Sequence, residues 1–140
     1  MTRADFYLIA KPRFLEQPLL LVCELVRRAH AQRLPTLVLA RDLAEADALD
    51  ELLWSFDEDA FIPHQIAGDD DDAQTPVLIV PPQVDTPDRA LVINLRDEAC
   101  ERACERLLEV VPADPAARAG SRERWRIYQQ RGHTLAKHDM

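Results

Sequence analysis

The residues best equipped for chemistry lie near the C-terminal end of the sequence. Arg118, Arg122, Trp125 and Gln129 recur at i, i+4, i+7 and i+11, so on a helix they share one face, with Arg126 at its margin. Guanidinium groups pair with carboxylates through two parallel hydrogen bonds. An indole offers a flat apolar plate to an aromatic or proline side chain. A short acidic peptide with an apolar end would satisfy both. The same pattern also suits a solvated helix whose arginines stack on a half-buried tryptophan. A second cluster, Trp54 to His64 (WSFDEDAFIPH), places Trp54, Phe56 and Phe61 within eight residues. It fits either core packing beneath a long loop or a partner-binding patch.

Other candidate groups carry less. Cys100 and Cys104 stand four apart, on one face of a short helix expected over 97–104. As metal ligands they would need two more donors, and no histidine lies near them in sequence; core or half-buried thiols are the expectation. His133 and His138 are expected on the surface of a frayed end. His64 follows Pro63 and could serve an interface, but no catalytic partner stands beside it. The run Asp69 to Asp72 lacks the alternating ligand spacing of a calcium loop and reads as a solvated loop. The two serines, Ser55 and Ser121, sit in no G-x-S-x-G elbow. A phosphate loop needs glycines so that backbone N–H groups can approach the anion. The three glycines are Gly68, Gly120 and Gly132, and the segment after the first expected strand, KPRFLEQP, has none. No catalytic residue, metal or cofactor is therefore expected.

Charge narrows the choice further. The 140 residues carry a formal net charge of −8, which repels phosphate overall and argues against broad nucleic-acid binding. The charge is uneven. Ala116 to Met140 holds six Lys or Arg and two acids, net +4, while the remaining 115 residues hold eleven bases and twenty-three acids, net −12. A basic end on an acidic body points to a directed interaction. Three cysteines make an odd count without a framework, which suits a reducing compartment. The N-terminal MTRADFYLIA has no cleavable-signal pattern, and the run Pro18 to Cys23 is too short to span a bilayer. A cytoplasmic protein is expected.

The elements that must position these groups follow from periodicity. Apolar runs at Asp5–Ala10, Thr36–Ala40, Val77–Val80, Ala90–Leu95 and Leu107–Val111 read as strands, the last of them the final strand. The middle ones are continuous, the pattern of strands buried on both faces. Helical spacing marks Pro18–Arg33, Leu43–Leu53 and Ala116–Arg131, the last ended by Gly132. Ser55 to Gln74 reads as irregular. This order favours one α/β domain over residues 1–140, in three layers (α/β/α), with a mostly parallel sheet.

The FYL strand, the VCEL helix, LDELLW…FIPH, INLR and EVVP…RERWRIYQQRGH occur in the order and spacing that resemble the chi-subunit family of bacterial DNA polymerase III. The resemblance covers nearly the whole chain; FIPH and RERWRIYQQRG are its most specific segments. It implies a nucleotide-binding-like fold without a phosphate loop, used as a non-catalytic adaptor. The implied partners are the psi subunit, bound one-to-one and tethering the chain to the clamp loader, and the C-terminal tail of single-stranded-DNA-binding protein, acidic and ending in Pro and Phe. DNA would be reached only indirectly, and no membrane is involved. Matched residue by residue, the tail site falls on Val111, Arg118, Arg122, Trp125 and Arg126. Trp125 and Arg126 stand where other members can carry Tyr and Lys, which keeps the chemistry. The psi surface falls on Trp54, Phe61 and Pro63. The run Asp69 to Asp72 departs from the family pattern and carries no assigned role. Two other classes compete. A nucleotide-dependent α/β enzyme is disfavoured by the missing glycines. A direct single-stranded-DNA binder needs a basic groove with several stacking aromatics, and one tryptophan on a short basic helix falls short of that.

Overall fold

The computed structural model describes residues 2–57 and 59–140. Met1 and Glu58, the latter inside the aromatic-rich stretch, lie outside the described residues. Seven strands form one parallel sheet: β1 (Arg3–Leu8), β2 (Thr36–Leu39), β3 (His64–Ile66), β4 (Val77–Val80), β5 (Leu91–Asn94), β6 (Arg106–Val111) and β7 (Thr134–Asp139). Across the sheet they run β3-β4-β2-β5-β6-β1-β7. The helices are α1 (Pro12–Glu16), α2 (Leu19–Ala31), α3 (Leu43–Ser55) and α4 (Pro115–Gln130), with a 3-10 turn at Asp72–Gln74.

The central strands TLVL, VLIV and LVIN are buried along their whole length, as expected of parallel strands covered on both faces. Successive side chains alternate between two cores. Val38, Val77, Ile79, Ile93, Leu108 and Val110 meet Leu21, Val22, Leu25 and Val26 of α2 and Ala46, Leu49 and Leu53 of α3. Leu37, Leu39, Leu78, Val80, Val92, Leu107 and Val111 face the other way, toward Tyr128 of α4. The result is three layers, with α4 the helix on its side of the sheet. Asp42 caps α3 by accepting from the Glu45 N–H at 2.8 Å, a bond worth about 1 kcal/mol.

The structure departs from the sequence reading at three places. The helix expected over 97–104 does not form. Its backbone groups are instead taken by distant side chains: the Cys100 N–H donates to the Tyr128 hydroxyl at 2.8 Å, and the Arg131 guanidinium donates to the Cys100 carbonyl at 2.8 Å. Cys100 and Cys104 therefore share no helix face. Second, Leu107–Val111 lies within β6, but β6 is not the final strand. Residues expected to fray form β7, parallel to β1, with Arg3 opposite Thr134 and Leu8 opposite Asp139. Third, the stretch read as irregular contains β3, which pairs with β4. The sheet is parallel throughout, in keeping with the three-layer α/β/α reading and its mostly parallel sheet.

Candidate functional site

The α4 helix is seated on the sheet by a buried polar network. Glu109, on β6, is fully buried. One carboxylate oxygen accepts from Arg124 Nε at 3.0 Å; the other accepts from Asn94 Nδ2 at 2.8 Å and from the Tyr128 hydroxyl at 2.6 Å. Arg124 also donates to the Asp97 carbonyl and to Ser121 Oγ, each at 3.0 Å. Burial pushes the Glu109 carboxyl up from the ordinary range, against the pull of the Arg124 charge and the three donors. Burial and the adjoining Glu109 likewise push the Tyr128 phenol up. Every member has partners, so the network fixes the rotation of α4 about its axis.

That rotation turns the arginine–tryptophan face toward the β1–β7 side of the sheet. Phe6 and Leu8 from β1, Val111 from β6 and Trp125 from α4 form the apolar surfaces of a groove of about 520 Å³. Arg118, Ser121, Arg122 and Arg126 line it from α4, and Lys137 from β7. Trp125 packs edge-on against Phe6, ring centroids 5.0 Å apart and planes at 62°. The five residues Val111, Arg118, Arg122, Trp125 and Arg126 are thus brought together in one depression. Arg118 Nε is buried without a hydrogen-bond partner among the described residues. No ion pair forms at Arg122 or Lys137 among the described residues. Among the described residues Arg126 pairs only with the neighbouring exposed Glu123, at 3.4 Å, a contact worth little in water. On a chain of net charge −8, these four cations stand without strong internal partners around an apolar centre.

Sequence reasoning missed Phe6, Leu8, Ser121 and Lys137. The first two alternate correctly along β1, but only the sheet order sets them beside α4. The basic count of the C-terminal segment also misplaced two charges: Arg124 is buried against Glu109, and Arg131 pairs with Glu101 at 2.7 Å.

The second cluster lies at the β3 edge, the opposite end of the sheet from β7. Trp54, in the last turn of α3, is 68% exposed, and Phe61 is 83% exposed; Pro63 is exposed as well. Core packing therefore does not account for Trp54 or Phe61; of the three aromatics, Phe56 alone packs against the core. Phe61 also holds φ at +45°, a left-handed conformation costly for a side chain with a Cβ. The Trp54 ring lies 4.6 Å from that of His64. His64 is buried, with Nδ1 2.8 Å from the Ile62 carbonyl and Nε2 3.1 Å from the Asp50 carbonyl, so it supports the patch from below.

Burial pushes the Cys23 and Cys104 thiols up to about 12 each, far from the reactive thiolate range. His138 is half-buried, 2.9 Å from Asp5 and stacked on Tyr7, and His133 stacks on Tyr128; neither is the free surface histidine expected. Asp72 accepts from the Gly68 N–H at 2.9 Å and from Gln65 at 2.7 Å, closing its loop. Among the described residues no group of three or more His, Cys, Asp or Glu is placed to hold a metal. No described helix is long and apolar enough to cross a membrane.

Comparison with known proteins agrees with this architecture. Residues 1–136 match the family model described as "DNA polymerase III chi subunit, HolC". A Pseudomonas aeruginosa protein named DNA polymerase III subunit chi is 36% identical over 142 aligned residues, covering 99% of this chain and 96% of its own length. An Escherichia coli (strain K12) protein of the same name is 30% identical, covering 82% of this chain and 80% of its own. Among solved structures, T4 UvsW superposes with a TM-score of 0.65 at 7% identity, over 99% of this chain and 41% of that one. That likeness concerns the fold alone.

Proposed function

The chain belongs to the DNA polymerase III chi-subunit family, and on that premise we propose that it is a cytoplasmic adaptor of DNA replication with no catalytic site of its own. One edge of its sheet docks the psi subunit, one-to-one, and so joins the clamp loader. The opposite edge holds the acidic C-terminal tail of single-stranded-DNA-binding protein, through which DNA is reached. The observation that carries the reading is the groove between α4 and β7: an apolar centre ringed by cations that the acids among the described residues leave largely unpaired. A tail of aspartates ending in Pro and Phe complements it, carboxylates to the guanidinium groups and the final ring to Trp125 and Phe6. At the other edge, Trp54, Phe61 and Pro63 combine exposure with, at Phe61, a strained backbone. Folding gains nothing from that combination, and a partner that buries the ring does.

The test is calorimetric titration of a peptide ending in Asp-Ile-Pro-Phe into the wild-type chain and Arg122→Glu at low salt. Wild type should bind. Arg122→Glu should bind at least tenfold more weakly, since repulsion is added to lost attraction. If Arg122→Glu binds like wild type, the groove is not the site.

A further inference from the structure

Lys137 lies beyond the end of α4, on β7, so the helix that groups Arg118 and Arg122 cannot place it beside them. The sheet brings it there. In the parallel register Lys137 is the partner of Phe6, so its side chain emerges on the same face of the sheet as the groove's apolar floor. The adjacent His138 points to the other face, where it meets buried Asp5 at 2.9 Å and stacks on Tyr7 at 4.9 Å. Those contacts pin β7 at this position and hold Lys137 over the groove, opposite α4. The lysine is exposed and has no carboxylate partner among the described residues.

Resting on the reading of this groove as an acidic-peptide site, we propose that Lys137 is a specificity-determining residue: it supplies a cation from the strand wall, so that an acidic peptide is clamped between helix and edge strand instead of lying on the helix face alone. A two-walled clamp asks more of its ligand than a basic helix does. It favours a chain with carboxylates on both sides of its apolar end, and it couples particular carboxylates to particular walls.

The experiment titrates the same Asp-Ile-Pro-Phe peptide into wild type, Lys137→Ala, Lys137→Glu, Lys137→Arg and Arg122→Glu. Each is measured at low salt and near 1 M salt, with thermal melting of every variant as the folding control. Lys137→Ala should weaken binding by about three- to tenfold at low salt and Lys137→Glu by more, as for a cation facing a ligand charge. Lys137→Arg should bind like wild type. Near 1 M salt, where screening acts within about 3 Å, the Lys137 variants should converge on wild type. Replacing the peptide's aspartates one at a time by Asn should show one whose loss is smaller in Lys137→Ala than in wild type. Wild-type affinity in Lys137→Glu at low salt, alongside lost binding in Arg122→Glu, overturns the clamp and leaves the groove assignment standing. Wild-type affinity in both variants overturns the groove assignment itself. A lysine on an edge strand also discourages strand-to-strand pairing. Self-association of Lys137→Ala with unchanged peptide affinity in the monomer would therefore assign the residue to that role and overturn the proposal.

Discussion

Arg124 lies beneath the groove rather than in it: its Nε donates to Glu109 Oε1 at 3.0 Å, where the arginine is 8% exposed and the glutamate fully buried. Removing one partner of such a pair leaves an uncompensated buried charge. Arg124→Met should therefore destabilise the fold by ~3–5 kcal/mol, read from urea unfolding. Removing both charges, in Arg124→Met with Glu109→Gln, should cost less than Arg124→Met alone. Tyr128→Phe, which takes away one donor to Glu109, should cost ~1–2 kcal/mol. A loss below ~1 kcal/mol in Arg124→Met would show that the pair does not hold α4 in place.

Trp125 and Arg122 share a helix face but should respond differently to salt. Trp125→Ala removes the plate that packs on Phe6, and apolar burial is not screened. Its deficit in binding the Asp-Ile-Pro-Phe peptide should be ~2 kcal/mol or more and should persist from low to high salt. The Arg122→Glu deficit should shrink as salt rises. Calorimetric titrations at two ionic strengths separate the two; a Trp125→Ala deficit that vanishes in high salt would contradict an apolar slot.

Phe61 is exposed and backbone-strained, so it should matter to a partner and not to the fold. Phe61→Ala should melt close to wild type while binding to the psi subunit weakens by ~2 kcal/mol or more. Phe61→Gly, free of the left-handed penalty, should melt slightly higher than Phe61→Ala. Co-purification of psi with a folded Phe61→Ala at wild-type levels would remove Phe61 from the interface.

Asp5 makes the sheet acid-sensitive. Burial by itself would raise its carboxyl, but hydrogen bonds from His138 and Arg3 and the charges of Arg3 and Arg106 outweigh it and hold the group below its ordinary 3.8. A lowered folded value means that the contribution to stability is fully present above 3.8 and is lost as pH falls through that lowered value. Asp5→Asn should be less stable at neutral pH and show a shallower loss of stability on acidification. Equal acid limbs in urea unfolding between pH 2 and pH 6, a span chosen to bracket the ordinary carboxylate range of about 4, would exclude this role.

Much of the architecture was legible in local pattern. Continuous apolar runs such as VLIV and the helical spacing of α2 and α4 dictate element type, because strand and helix periods decide which neighbours share a face. For the same reason Arg118, Arg122 and Trp125 could be grouped without a structure. What surrounds that helix face was decided by contacts between residues far apart in the chain. β7 exists because Thr134–Asp139 finds β1; its own pattern is weak, and no local period encodes a partner some 130 residues away. That pairing alone puts Lys137 beside Phe6. Similarly, nothing in RERW marks Arg124 as buried and Arg122 as exposed. The difference is a buried carboxylate, Glu109, which only the packing of α4 on β6 brings within hydrogen-bond reach. The exposure of Trp54 and Phe61 was equally undecided, since aromatic residues near a helix end are drawn to cores and interfaces by the same apolar burial, and only the packed sheet shows which of them the core has no room for.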